Sequence, residues 1–472
     1  MTTFTHETDY LIVGAGAVGM AFADVLLSET DANIMIVDKY HKPGGHWNVA
    51  YPFVTLHQPS AFYGVSSTEL SKGCIDKNGL NKGLNELATG AEVSAYFDNV
   101  MRERFLPSGR VSYFPMSEYK GNGQFVSVIN DDEHQVSVNK KIVDATYLKT
   151  SVPSTHKPSF TVDDSAQFMP INDLVNIDKK PAGFVIIGGG KTGIDACLWL
   201  LENKVNPDDI QWIVPRDAWL IDRKNTQPTI EFFNDAIGAQ AAQMEAIAQS
   251  TSVDDMFSRL EKAGVFLRLD ETVWPQMFHG ATVSQMELAE LKKIKNVVRK
   301  GRVTHVGQDN IQLEQGEIKT SPEHIHVDCS ASAITNLAVK PIFSGNVVTP
   351  QTVRSYQPAF SAAFIAHIEA SEKYPDEKSK NHICGVVPLP NGVMDWVRLT
   401  AAFMRNQHIW SQDDDLKQWL LENRLDGFSQ LVRSVVKTDM EKMMILGRLR
   451  ENAMPAMGKL QQYLAAEAAQ GA

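Results

Sequence analysis

The sequence predicts an α/β protein with two parallel-sheet units, because two glycine-rich turns each follow an apolar run typical of a buried strand and precede a run typical of a helix. The turn at Gly14–Gly19 follows Tyr10–Val13, and the turn at Gly188–Gly193 follows Phe184–Ile187. In a G-x-G-x-x-G turn the first glycine permits the bend, the second admits a pyrophosphate, and the third packs the helix on the strand. The helix N-terminus then faces the phosphate charge. Two Rossmann-type units are therefore expected, each with a dinucleotide site.

The composition is typical of a soluble globular protein. The chain has 472 residues, which predicts two or three domains, and its formal net charge of -11 with no basic stripe argues against a nucleic-acid partner. No apolar run is long enough to span a bilayer, so no membrane association is expected. Residues 1–9 are polar and lead directly into the first strand, so no signal peptide is expected either.

The cysteines give no sign of a disulfide or a metal site. Cys74, Cys197, Cys329 and Cys384 are far apart, and no pair has the spacing of a redox disulfide or a zinc site. We therefore expect reduced, packed thiols, as in a cytoplasmic protein, and no bound metal.

The residue after the second strand differs between the two units. The first unit continues into 33–38 and ends in Asp38, a carboxylate suited to accept hydrogen bonds from a ribose. In the second unit, the second strand is expected over 210–214, and Arg216 and then Arg223 follow it in the sequence. An arginine suits a 2′-phosphate, so the second site is expected to prefer NADP over NAD. The alternative is that Arg216 is a solvated turn residue.

Further motifs follow in a recognisable order: Gly44-Gly45-His46-Trp47, Tyr51-Pro52, His57–Ser60, Tyr63, Asp144–Thr146 and Arg216–Arg223. Together with the glycine turns they resemble the class B flavoprotein monooxygenases, which include the flavin-containing, N-hydroxylating and Baeyer–Villiger enzymes. The resemblance covers residues 8–225 well and 300–335 loosely. The family's Phe-x-Gly run ending in His is missing from 160–170, and Tyr147 replaces the glycine of the Ala-Thr-Gly turn. The type of oxygenation therefore stays open.

This resemblance implies FAD in the first unit and NADPH in the second. The implied FAD contacts are Gly14, Gly16, Ala17, Val18, Gly19, Asp38, Lys39, Gly45, His46, Trp47 and His57. The implied NADPH contacts are Gly188, Gly190, Lys191, Thr192, Gly193, Arg216 and Arg223. His46 and His57 are the candidate catalytic residues for proton delivery near the flavin. A purely structural, hydrogen-bonded histidine is the alternative for His46.

The implied activity is an FAD-dependent, NADPH-using monooxygenase that acts on a small organic substrate. NADPH would reduce FAD, O2 would add to the reduced flavin, and the resulting hydroperoxide would oxygenate the substrate; the cofactor carries the difficult chemistry. An NADPH-dependent reductase or oxidase without a stable oxygen adduct is one alternative, and a nucleotide-binding sensor without turnover is another. The related disulfide reductases need a cysteine pair beside the flavin, which this sequence lacks.

The predicted domain organisation follows from these assignments. Residues 1–178 form the first part of the FAD-binding domain, and 179–325 form the NADPH-binding domain with a helical insertion at about 225–300. The chain then returns to the FAD-binding domain over 326–395. Residues 396–472 are helical and Met-rich, and they are the candidate face of a homodimer.

Overall fold

The structure is a computed structural model that describes residues 3–149, 151–155, 157–331 and 337–470. Its first segment is a strand–helix–strand unit followed by a meander. The elements are β1 (Thr3–Val13), α1 (Ala17–Glu29), β2 (Ile34–Val37), β3 (Gly64–Val65), β4 (Thr68–Glu69), α2 (Gly90–Val100), β5 (Val111–Phe114), β6 (Ser117–Gly121), β7 (Gln124–Ser127) and β8 (Glu133–Asp144). Both glycine turns lie between a strand and a helix, as predicted.

The second segment contains the other glycine turn and most of the short strands. Its elements are β9 (Thr161–Val162), β10 (Gln167–Pro170), β11 (Gly183–Ile187), α3 (Lys191–Glu202), β12 (Ile210–Ile213), β13 (Ala218–Asp222), α4 (Phe233–Gln249), α5 (Val253–Lys262), β14 (Phe266–Leu267), β15 (Met277–Val283), α6 (Gln285–Leu291), β16 (Val297–Val298), β17 (Val303–Val306), β18 (Asn310–Leu313), β19 (Gly316–Lys319) and β20 (His324–Asp328).

The last segment is mainly helical. Its elements are β21 (Phe343–Ser344), β22 (Val347–Val348), α7 (Pro358–Ala370), α8 (Glu377–Ile383), α9 (Val393–Trp410), α10 (Asp414–Glu422), α11 (Phe428–Arg433) and α12 (Met440–Gln470). Helix α12 packs against α4 and α9. Among the described residues, no helix is both long enough and apolar enough to cross a membrane.

The first sheet is assembled from distant parts of the chain. Its strand order is β21-β22-β8-β1-β2-β5, and β1, β2, β5, β8 and β22 run parallel. Val13 at the end of β1 pairs with Val37 and with Asp144, so the carboxyl ends of β1, β2 and β8 meet at one edge. Helix α7 packs on α1, and both helices are buried along most of their length. The first glycine turn and Asp38 therefore lie at the same edge of the sheet.

The second sheet is a parallel Rossmann-type sheet of order β10-β20-β11-β12-β16. Ile187 pairs with Ile213 and Asp328, which brings Gly188, Val214 and Cys329 to one carboxyl edge. Two such sheets, each with a strand, a glycine turn and a helix, confirm the predicted α/β fold class.

The sheets do not divide the chain at the predicted domain limits. Strand β10 precedes residue 178 yet pairs with β20 in the second sheet, and β20 extends past residue 325. The return to the first sheet comes at β21 and β22. The predicted insertion at about 225–300 is not purely helical, because β14 and β15 pair with β13 in a three-stranded sheet. These pairings join residues that are distant in sequence, and local patterns do not report them.

Candidate functional site

The first glycine turn is held by contacts that leave no room for a side chain. Gly14 has φ +104°, and its N–H donates to the carbonyl of Val37 at 2.8 Å. A methyl group on Gly19 would lie 1.9 Å from the carbonyl oxygen of Gly14. Helix α1 can therefore start directly against the end of β1 only because position 19 is glycine. Ala17 and Val18, in the first turn of the helix, stay partly exposed.

The Gly44–Gly45 segment packs against this turn. The N–H of Gly44 donates to the carbonyl of Ala15 at 2.8 Å. Gly45 has φ +58°, and a Cβ on it would lie 2.9 Å from the Cα of Gly16. A side chain on Gly45 would therefore collide with the backbone of Gly16, and the positive φ of Gly45 also favours glycine. The structure therefore brings the predicted FAD residues Gly16 and Gly45 together.

Asp38 is buried at the end of β2 and bonds to the glycine turn. Its carboxylate accepts from the N–H of Ala15 at 2.5 Å and from the N–H of Tyr40 at 2.7 Å. Burial raises the pKa of Asp38, and these two backbone hydrogen bonds oppose that rise. A carboxylate offers about four lone-pair sites, so capacity remains for a ribose hydroxyl. Lys39 is exposed, with its ammonium 4.9 Å from the ring centroid of Tyr40.

An aromatic group follows the Gly44–Gly45 segment. The indole N–H of Trp47 donates to the hydroxyl of Tyr63 at 2.8 Å, and His46 lies beside Trp47 with ring centroids 5.2 Å apart. Burial lowers the pKa of His46 to about 4. His46 is therefore neutral near pH 7, and a pKa this far below the working pH does not suit general acid–base catalysis. Proton delivery by His46 therefore stays a prediction, and this lowered pKa does not favour it.

The second glycine turn repeats the geometry of the first. Gly188 has φ +136°, and a methyl group on Gly193 would lie 2.0 Å from the carbonyl oxygen of Gly188. Gly190 is different, because a Cβ built there has no atom within 4 Å. Gly190 precedes α3 with an ordinary φ of -84°, and Thr192 in the first helical turn is partly exposed. The space in front of Gly190 is open, as the predicted pyrophosphate contact requires.

The Gly190→Ala variant is expected to weaken nucleotide binding while the stability of the fold stays nearly unchanged. The added methyl group enters open space, so the stability of Gly190→Ala is expected to stay within about 0.5 kcal/mol of the wild type. With NADPH bound at this turn as predicted, the same methyl group would obstruct the phosphate, and we expect the KM for NADPH to rise about 10-fold or more, which is about 1.4 kcal/mol. Thermal unfolding and steady-state kinetics measure the two effects. The matched Gly193→Ala variant is expected to lose stability as well, and equal behaviour of both variants would contradict this assignment.

Side chains of both units meet beside the second glycine turn. Lys191 forms an ion pair with Asp195, and the hydroxyl of Tyr51 donates to the same carboxylate at 2.5 Å. His57 lies near Lys191 and Arg223, and burial together with these two cations lowers its pKa well below the usual value. The predicted proton delivery by His57 stays a prediction. Sequence reasoning missed the Tyr51–Asp195 contact, which joins the two units.

Arg223 was predicted to contact NADPH, and the structure shows that this prediction is wrong. Its guanidinium is fully buried and forms an ion pair with Glu287 at 2.8 Å. It also donates to the carbonyl of His57 at 3.0 Å, to the side-chain oxygen of Asn81 at 3.1 Å and to the carbonyl of Thr282 at 3.3 Å. A guanidinium with these partners has no access to a phosphate. Arg223 instead fixes the His57 backbone to the second unit.

Arg216, the residue predicted to contact a 2′-phosphate, is one of the residues that line a pocket of about 440 Å³. It is exposed, and Arg302 lines the same pocket. Arg299, also in the lining, is bound to Asp217 at 2.8 and 3.1 Å. Within the described part of the chain, the guanidinium groups of Arg216 and Arg302 have no hydrogen-bond acceptor. Arg302 was missed by sequence reasoning because it follows β16, far along the chain, and carries no local motif.

The protein has two glycine turns, each at the carboxyl edge of a sheet of mainly parallel strands. This arrangement defines an α/β protein with two Rossmann-type units. Within that class, the chain belongs to the family of the uncharacterized protein Rv2000 from Mycobacterium tuberculosis. The two are 45% identical over 428 residues, which is 91% of this chain and 79% of Rv2000. No protein-family model matches the chain.

Several solved structures are similar to this chain at low identity. The polycyclic ketone monooxygenase from Thermothelomyces thermophila has a TM-score of 0.48 at 10% identity, covering 90% of this chain and 85% of its own. The flavin-containing monooxygenase from Stenotrophomonas maltophilia has a TM-score of 0.45 at 12% identity, and the match covers 77% of this chain and 97% of that protein's chain. The bacillithiol disulfide reductase from Staphylococcus aureus has a TM-score of 0.43 at 11% identity, and the match covers 78% of this chain and 99% of that protein's chain.

Proposed function

We propose that this protein is an FAD- and NADPH-dependent oxidoreductase that oxygenates an organic substrate. The proposal rests on a difference in charge between two otherwise similar sites. One site has the buried carboxylate of Asp38 at the end of its second strand, and the other has the unpaired guanidinium groups of Arg216 and Arg302. A carboxylate suits ribose hydroxyls and repels a phosphate, whereas an arginine pair suits a 2′-phosphate.

The residues present fit both groups. Gly16, with Gly45 against it, leaves backbone exposed for the pyrophosphate of FAD, and the open space at Gly190 does the same for NADPH. When bound, FAD accepts a hydride from NADPH and supplies the electrons for reaction with O2. The protein residues bind and orient the two groups. Those proposed to do so are Gly14, Gly16, Ala17, Val18, Asp38, Gly45 and Trp47 for FAD, and Gly190, Lys191, Thr192, Arg216 and Arg302 for NADPH.

The surroundings of the flavin position favour exclusion of water. Trp47 and Tyr63 form an edge-to-face pair with ring centroids 6.0 Å apart, and the ring of His46, whose pKa burial lowers to about 4, lies beside Trp47. A site without water protects reactive intermediates from side reactions. Tyr51, through Asp195 and Lys191, holds this aromatic segment against the helix that begins the NADPH site. This contact joins the segments that carry the two proposed sites.

The cysteines argue against thiol–disulfide chemistry. All four are free, and burial raises the pKa of the thiols of Cys197, Cys329 and Cys384 well above the usual value. A redox thiol needs a lowered pKa and an accessible position. Cys74 is exposed but has no cysteine beside it. These thiols therefore do not favour a transfer of electrons through cysteines of this chain.

The activity test compares the products of NADPH oxidation. In the proposed reaction, substrate, O2, NADPH and a proton give oxygenated substrate, water and NADP⁺. With bound FAD and an accepted substrate, NADPH consumption is expected to match product formation, with little H2O2. An NADPH oxidase has the same two sites, and it would yield one H2O2 for each NADPH with every compound tried. Purified protein that carries FAD but never oxidises NADPH would favour the sensor alternative.

Replacing Arg216 tests the cofactor preference. Each charge-assisted hydrogen bond to a phosphate contributes about 1.5–3 kcal/mol, so the KM for NADPH is expected to rise roughly 10- to 100-fold in Arg216→Ala and again in Arg302→Ala. The KM for NADH is expected to change less than about 2-fold, because NADH lacks the 2′-phosphate. Lys300→Ala is the matched control, since Lys300 is a neighbouring cation bound to the carbonyl of Glu317. Equal effects on NADPH and NADH would remove the argument for NADPH.

A further inference from the structure

One face of α3 carries three side chains spaced four residues apart, and this face holds part of the first unit. Lys191, Asp195 and Trp199 follow one another at i, i+4 and i+8, which places them in one row along the helix. The hydroxyl of Tyr51 donates to Asp195 at 2.5 Å, and the ring of Phe53 stacks on that of Trp199 with centroids 4.9 Å apart. These two rings of the first unit are therefore docked on the helix that begins at the second glycine turn.

Tyr51 lies at the end of the segment that packs on the first glycine turn. The segment starts at Gly44, whose N–H donates to the carbonyl of Ala15, and passes through Trp47 to Tyr51. Tyr51 is 6% exposed, so protein partners rather than water hold its hydroxyl. The same segment therefore contacts the proposed FAD turn at one end and α3 at the other.

The carboxylate of Asp195 is shared between two donors. One is the hydroxyl of Tyr51, and the other is the ammonium group of Lys191, which forms an ion pair with it. Burial and the Asp195 carboxylate raise the pKa of Tyr51 well above its usual value, so the hydroxyl keeps the proton that it donates. The side chains of Lys191 and Asp195 are 10% and 12% exposed, so little water screens the attraction between them. A lysine neutralised in this way attracts a phosphate less than a free one does.

Lys191 also lies where a nucleotide phosphate is expected. It is the first residue of α3 and directly follows Gly190, in front of which the space is open. A phosphate at this helix N-terminus is favoured by the backbone N–H groups and the helix dipole. A lysine side chain has a flexible stem and rotatable donors, so its ammonium group can turn from a carboxylate to a phosphate. Lys191 therefore has two competing anionic partners, Asp195 and the phosphate of a bound nucleotide.

We propose that Asp195 is a positioning residue that links the two dinucleotide sites: it holds Lys191 before NADPH binds, and it holds Tyr51 more tightly once the nucleotide phosphate has taken Lys191. This inference rests on the proposed function, which supplies NADPH as the nucleotide. When Lys191 turns away, Tyr51 is the remaining side-chain donor to Asp195 among the described residues. A hydrogen bond to a carboxylate strengthens when the competing cation leaves, because the full charge then faces one donor.

The exchange predicts that occupancy of one site is felt at the other. With Tyr51 held more tightly, the segment that packs on the first glycine turn loses freedom to move, and FAD leaves more slowly. Coupling between two binding sites is reciprocal, so bound FAD strengthens nucleotide binding by the same factor.

Binding of NADP⁺ to the FAD-loaded protein tests the first half of the exchange without turnover. Asp195→Asn removes the charge that competes for Lys191, while the amide oxygen can still accept from Tyr51. The Kd for NADP⁺ is expected to fall about 5-fold or more, since coupling factors of about 5 to 150 are usual. Asp208→Asn, at an exposed carboxylate before the amino end of β12, controls for the change in net charge and is expected to leave the Kd unchanged.

The direction of the change decides between two roles of Asp195. If Asp195 only supports the helix or orients Lys191 towards the phosphate, the Asp195→Asn variant binds NADP⁺ equally or more weakly, and either result would overturn the proposal while leaving the proposed function intact. Wild-type protein that binds neither NADP⁺ nor NAD⁺ would reject the proposed function and the inference with it.

Release of FAD tests the second half of the exchange. In the wild type, saturating NADP⁺ is expected to slow FAD dissociation about 5-fold or more, followed as the fluorescence of the released flavin. Tyr51→Phe keeps the ring but removes the donor, and NADP⁺ is expected to leave its rate of FAD release unchanged. Tyr147→Phe, which loses a hydroxyl bonded to the carbonyl of Ala338 instead of to α3, is expected to keep the effect of NADP⁺. An absence of slowing in the wild type, or slowing that persists in Tyr51→Phe, would overturn the proposal.

Discussion

Replacing Arg223 with methionine is expected to lower the free energy of unfolding by about 3–5 kcal/mol, because breaking a buried ion pair strands the remaining charge. Arg223 is fully buried, and its partner Glu287 is 8% exposed. The substitution also removes the donors bound to the carbonyls of His57 and Thr282. Chemical denaturation followed by circular dichroism measures the loss. The flavin content should fall as well, since the His57 segment loses its fixed position.

Two further variants identify the cause of this loss. Lys224→Met removes the adjacent cation, whose exposed pair with Asp235 is expected to contribute no more than about 1 kcal/mol. Adding Glu287→Gln to Arg223→Met is expected to restore part of the stability, because the stranded charge disappears while the side-chain oxygen can still accept from the N–H of Ser284. A single Arg223 variant as stable as the Lys224 control would show that the buried pair is not what holds the units together.

Replacing Gly19 with alanine is expected to cost about 3 kcal/mol or more, the upper end of the usual cost of overpacking, and to abolish FAD retention. The new methyl group would lie 1.9 Å from the carbonyl oxygen of Gly14, and this neighbour is backbone that cannot rotate away. Gly14 itself has φ +104°, which leaves the turn few alternative conformations. Helix α1 would have to move off β1. Thermal unfolding and the ratio of flavin to protein absorbance measure the two losses.

Gly16→Ala is the matched control for this position. A Cβ on Gly16 would lie 3.4 Å from the Cα of Gly45, at the limit of ordinary contact, and φ is an unstrained -78°. The fold is therefore expected to persist while FAD binding weakens. Unchanged stability and full flavin content in Gly19→Ala would mean that the turn relaxes in a way the structure does not suggest.

The candidate site was predictable where it depends on local backbone chemistry. A glycine turn between a strand and a helix has its own sequence pattern, and Asp38 and Arg216 follow directly from the strand that each unit places next. Roles that depend on burial were not predictable. Arg223 lies seven positions after Arg216 and has the same charge, yet it is buried against Glu287, while Arg216 is exposed. Residue type and spacing do not distinguish these environments.

The sequence by itself determined that this protein has two Rossmann-type units, where their glycine turns lie, and that the two sites differ in charge. These features arise from contacts between residues close in the chain, which the periodicity and the turn chemistry record. Only the tertiary structure decided that Arg302 joins Arg216, that β22 pairs with β8, and that the C-terminal helices enclose a pocket beside Gln58. Those contacts join distant segments, and their partners are selected by the packing of whole elements rather than by any local pattern.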